Sequence, residues 1–140
     1  MTTKKKTLLA VLLTAAAGVS AQGPWKMNLR CEAENIVLKM DLYKESITVP
    51  QMEMFGPMNG YLGGNIYGVW SITSYEIKNE REAVLRLSND LGSETQRAML
   101  TQQNDTVWLL KFDGHNAVKR VSGKKLVKIP QELLMKKDIR

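Results

Sequence analysis

The sequence predicts an all-β fold, an antiparallel barrel of about eight strands. Three observations carry that prediction. The segment WKMNLRCEAE (25–34) alternates apolar and polar side chains, which is the period of a strand with one buried face. Short β-rich runs recur along the rest of the chain, divided by polar turns at roughly the 8–12-residue spacing of a sandwich or barrel. No long stretch of helical period interrupts them. Closure is favoured over an open sheet because it removes the edge strands that invite aggregation. The interior of such a barrel is either filled by side chains or holds one small ligand.

The elements follow in order. MTTKKK is a basic start, TLLAVLLTAAAGV is an apolar run, and Val19 and Ala21 are small residues placed for cleavage. This is the three-part pattern of a secretory signal. The run is shorter than the roughly 20 residues of a membrane span. We expect residues 1–21 to be removed and residues 22–140 to form a single domain. Gln22 is not a cysteine, so no lipid anchor is expected, and no second apolar stretch follows. The expected location is the periplasm or the cell exterior, with no membrane span.

The first strand puts Trp25, Met27, Leu29, Cys31 and Ala33 on its buried face. Its polar second face fits an antiparallel sheet wetted on one side. Ile36, Leu38, Met40 and Leu42 make the buried face of a second strand after a turn at Glu34 and Asn35. SITV (46–49) is a third β-rich run, ended by Pro50. VWSITSYEI (69–77), AVLRLS (83–88), RAML (97–100), TVWLLKF (106–112), AVKRV (117–121) and KLVKI (125–129) complete the set. KNER, SNDLGS, QQND, DGHN and SGK between them are turn segments. PQELLMKKDIR, after Pro130, is compatible with a short C-terminal helix, with Glu132 near its start and Lys136 and Lys137 near its end.

Charge and cysteine content narrow the functional classes. The net charge of +6 includes Lys4, Lys5 and Lys6; without them 17 basic residues face 14 acidic ones, a balance of +3. That argues against nucleic acid, which needs a concentrated basic surface. From Lys111 onward nine basic residues face only Asp113, Glu132 and Asp138. Lys119, Arg120, Lys124, Lys125 and Lys128 are the candidate face for an envelope protein or an anionic glycan, unless they form an ordinary solvated strand face. Cys31 is the only cysteine, so no internal disulfide can form. Its place in the alternation makes it a buried packing residue.

FGPMNGYLGGNIYGVW (55–70) interleaves five glycines with aromatic and methionine side chains. It lacks the spacing and the following helix of a dinucleotide fingerprint. Two readings remain open. In one, Met52, Met54, Phe55, Met58, Tyr61, Tyr67 and Trp70 form a pliable apolar rim, with Trp108 and Phe112 from a later strand, around a small apolar or amphipathic ligand. In the other, the glycines let the chain cross a barrel end, and the aromatics close that end as a plug.

Gly68 and Trp70 form a G-x-W at a strand start. With the β pattern and the export signal, this is similar to the lipocalin-like proteins, and the chain looks like the small exported domains of that kind in Bacteroidetes. The resemblance implies a cup-shaped barrel that carries a small apolar molecule. In lipocalins the tripeptide lies on the first strand, whereas here three strand-like runs precede it.

PQMEMFGPM (50–58) resembles the Pro-x-Met-x-Met segment of small periplasmic Cu(I)/Ag(I) chaperones. Methionine thioethers select Cu(I), and strand alternation would set Met52 and Met54 on one face. The histidine and tryptophan that complete such sites have no adjacent counterpart here; His115 lies in the turn DGHN. Copper binding is therefore a minor alternative, and no resident metal or cofactor is expected.

Nucleophilic catalysis needs a base held against its nucleophile. His115 and Cys31 lie on distant segments, and nothing selects a carboxylate pair, so no catalytic residues are expected. Asn104-Asp105-Thr106 fits an N-glycosylation pattern and Asp105-Thr106-Val107 an O-glycosylation one, but a turn entering the next strand explains both. The expectation is an exported, non-catalytic binding protein.

Overall fold

A computed structural model describes residues 23–138. The expected signal segment and its cleavage site lie outside the described residues. Ten strands follow one another: β1 (Lys26–Cys31), β2 (Ile36–Asp41), β3 (Gly60–Gly64), β4 (Trp70–Asn79), β5 (Glu82–Asn89), β6 (Thr95–Gln102), β7 (Val107–Phe112), β8 (Lys119–Ser122), β9 (Lys125–Lys128) and β10 (Glu132–Lys137). Eight of them close an antiparallel barrel in the order β1-β10-β7-β6-β5-β4-β3-β2. The chain winds up and down around it. One excursion, between β7 and β10, forms the separate hairpin β8-β9. No helix among the described residues is long and apolar enough to cross a membrane.

Alternation fixes which side chains turn inward. Leu29 and Cys31 of β1, Ile36, Leu38 and Met40 of β2, and Leu85 and Leu87 of β5 are buried in one continuous core. Trp108, Leu110 and Phe112 of β7 and Leu133 and Met135 of β10 join them. Trp25 and Trp108 meet edge to face at 5.3 Å, the arrangement their ring quadrupoles prefer. Cys31 is buried, as its place in the alternation predicts. Three hairpin turns are built on asparagine: Asn79 Oδ1 accepts from the Arg81 N–H, Asn89 Oδ1 from the Glu94 N–H, and Asn104 Oδ1 from the Thr106 and Val107 N–H groups. Such bonds mimic a backbone turn, so Asn104-Asp105-Thr106 is a turn entering β7.

Four segments differ from the sequence expectation. SITV is not a strand; it contributes a single bridge, Ile47 to Met58. The third wall strand is instead the glycine-rich GYLGG, which pairs with β2 over its whole length. Gly60, Gly63 and Gly64 therefore build the barrel wall rather than cross its end. PQELLMKKDIR forms β10, not a helix. Its Leu133 and Met135 alternate inward, and it fills the gap between β7 and β1. Closing the ring satisfies two strand edges at once, which outweighs a weak local helix preference.

The fourth difference is the path of residues 42–59. Buried Asp41 anchors its start, accepting from the Tyr43 and Lys44 N–H groups and the Ser46 hydroxyl. The segment then folds over the outside of the barrel. Val49, Met52 and Val69, with Met58 and Tyr61, form a second small core apart from the first. Tyr61 belongs there because its neighbour Leu62 faces inward.

Candidate functional site

The residues expected to bind a ligand divide into three places. Trp70, Trp108 and Phe112 belong to the barrel core, surrounded by other buried side chains. Trp108 Nε1 lies buried there without a hydrogen-bond partner among the described residues.

The second group lies on the outer wall. A short 3₁₀ turn, Glu53–Phe55, carries the methionine segment across β4. Met52, Phe55 and Met58 line a cleft of about 240 Å³ with Ser71, Thr73, Ser88 and Leu91. Ser71 points outward, since its neighbours Trp70 and Ile72 are in the core. It is fully buried beneath the segment, and its hydroxyl has no partner among the described residues. The 3₁₀ geometry separates Met52 from Met54: the first is 8% exposed, the second 77%. They do not share a face, as a strand would have arranged. No group of three or more His, Cys, Asp or Glu side chains suited to a metal occurs among the described residues.

The third group sits at the barrel end beneath the β8-β9 hairpin. Tyr67 and Trp70 line a cleft of about 160 Å³ there with Leu91, Ala117, Lys119 and Leu126. The Tyr67 N–H donates to the Lys119 carbonyl at 2.7 Å. This contact brings an expected ligand residue against an expected partner residue.

The basic residues are held in different ways. Arg120 forms an ion pair with Glu34 of the β1-β2 turn, which ties the hairpin to the barrel. Lys128 Nζ lies 3.2 Å from Nδ1 of exposed His115. Lys119 is half-buried, whereas Lys124 and Lys125 are exposed at the hairpin tip beside Gly123. Val121 and Leu126 pair across the two strands and are exposed.

Sequence reasoning missed two surfaces. One is a cleft of about 340 Å³ on the outer wall of β5, β6 and β7, lined by Val84, Arg97, Met99, Lys111 and Asp113. Arg97 and Asp113 form an ion pair across it at 2.6 Å. The outward alternation of β5 and β6 contained that signal. The other is the second half of β4, whose exposure follows from where β3 begins. Comparison with protein-family models, with curated proteins and with solved structures gives no match for this chain.

Proposed function

We propose that this protein is an exported, non-catalytic binding module of lipocalin-like architecture that works from the outside of its barrel. Its binding element is the β8-β9 hairpin, and its partner is an anionic glycan or an envelope protein with an acidic face. One observation carries this reading. The hairpin is a two-stranded sheet of its own, and Lys124 and Lys125 stand exposed at its tip. Cationic groups that are not paired within the chain attract an anionic partner, and salt screens that attraction.

The test is retention on an immobilised anionic polysaccharide through a salt gradient. Wild-type protein is expected to be retained at low salt, and Lys124→Glu/Lys125→Glu to elute earlier. Equal elution of the two proteins removes the hairpin from the account.

A second reading keeps a small amphipathic ligand. The cleft of Met52, Phe55 and Met58 over the unpartnered Ser71 hydroxyl supports it. Apolar walls with a small number of polar groups, here Ser71, Thr73, Ser88, Asn89 and Asp90, are the usual makeup of small-molecule sites. Native mass spectrometry of protein purified from its own host tests this reading. A bound molecule lost in Phe55→Ala/Met58→Ala supports it, and a bare mass for the wild type rejects it.

A further inference from the structure

We infer that the open edge of β4 is a dimerisation surface and that its occupant is the same edge of a second copy of this chain. β3 reaches β4 at only two positions, Tyr61 opposite Ser71 and Leu62 opposite Trp70. On its other side β4 stays paired with β5 as far as Asn79. From Thr73 to Asn79, no backbone hydrogen bond links β4 to a described residue outside β5. Alternate N–H and C=O groups along that edge therefore face solvent, the arrangement that templates pairing with another strand.

The side chains strengthen this reading. Tyr75 and Ile77 lie opposite Leu85 and Ala83 and share their core-facing side. Leu85 and Ala83 are fully buried, yet Tyr75 is 40% exposed and Ile77 38%. β3 ends its pairing with β4 before reaching them.

The sequence of the edge selects its partner. Two copies of one strand pair antiparallel about a two-fold axis, with one residue opposite itself. Centring on Glu76 or on Lys78 would set like charges face to face, which is unfavourable. Centring on Ile77 sets Glu76 of each copy opposite Lys78 of the other, Tyr75 opposite Asn79, and Ile77 on Ile77. This register joins an apolar centre to two reciprocal ion pairs. Glu76 and Lys78 already lie 3.3 Å apart along the strand, with both side chains accessible. The edge is at the far end of β4 from the Tyr67–Lys119 contact, with its centre at Ile77 about 23 Å along the strand from Trp70. Pairing there leaves both β8-β9 hairpins free.

Sedimentation velocity tests the inference on wild type, Glu76→Lys, Lys78→Glu and the double exchange, over about 1 µM to 1 mM, the span in which small interfaces associate. The wild type is expected to pass from monomer to dimer. Each single reversal makes two like-charge oppositions and is expected to weaken the dimer at least about fivefold. The double exchange recreates both ion pairs and is expected to restore it. Far-UV circular dichroism checks that each variant is folded, and both substituted side chains are solvent-accessible. Amide exchange adds an independent readout, with protection across residues 73–79 rising with protein concentration. A wild type that stays monomeric at the highest concentration overturns the inference. So does a dimer that the single reversals leave intact, that the double exchange fails to restore, or that leaves exchange at 73–79 unchanged.

Discussion

Gly60→Ala is the sharpest probe of how the glycine-rich strand is built. Gly60 opens β3 opposite Met40 with φ +146°. A Cβ there would lie 2.1 Å from the Lys39 carbonyl oxygen and 2.7 Å from Met40 Cα. Both are backbone atoms of the partner strand, so no side-chain rotation relieves the contact. Reaching ordinary van der Waals distance moves the strands about 1 Å apart, enough to lose one or two neighbouring ladder bonds at about 1 kcal/mol each. The positive φ adds about 1–3 kcal/mol for a residue with a Cβ. The sum is about 2–5 kcal/mol, a large part of the 5–15 kcal/mol typical of a domain.

Gly92→Ala is the matched control. Gly92 also has positive φ, at +74°, but nothing lies within 4 Å of its added Cβ. Only the backbone term remains, about 1–2 kcal/mol. Urea unfolding separates the two, because at a slope of about 1–2 kcal/mol per molar the Gly60 variant loses about 2 M of midpoint and the control about 1 M or less. Equal midpoints for the two variants would falsify the argument that a close backbone approach requires glycine at 60.

Two further predictions concern the outer wall. Ser71→Ala removes a buried hydroxyl that has no partner among the described residues. We expect it to leave stability unchanged or raise it by up to about 1–2 kcal/mol, since an unsatisfied polar group is costly to bury. A loss of more than 1 kcal/mol in urea unfolding would mean that the hydroxyl is bonded after all. Mild peroxide should oxidise Met54 well before Met52, because access governs sulfoxide formation and only Met54 is open to solvent. Peptide mapping after a timed exposure reads the order, and equal rates would contradict the path drawn for residues 50–58.

The sequence alone determined what local chemistry writes along a strand. The period of two in WKMNLRCEAE put Trp25, Leu29 and Cys31 inside, because successive side chains of a strand point to opposite faces. Asn79, Asn89 and Asn104 marked turns, because a short carbonyl side chain bonds its own backbone a few residues on. Those two signals, with the edge penalty, were enough for a barrel of the observed size. Tertiary structure decided the rest. GYLGG has no side-chain signature of a strand; it becomes β3 only because the backbone of β2 lies against it. The segment 132–137 offered only a weak helical reading, and the open edges of β1 and β7 made it a strand. The opposite facings of Met52 and Met54 came from a 3₁₀ turn laid on the outside of β4. The division of the basic residues came from Glu34, far away in sequence, which engages Arg120 while Lys124 and Lys125 remain at the tip. The open half of β4 is a property of no single segment, since it exists because β3 and β5 have different lengths, and only a closed ring sets those lengths side by side.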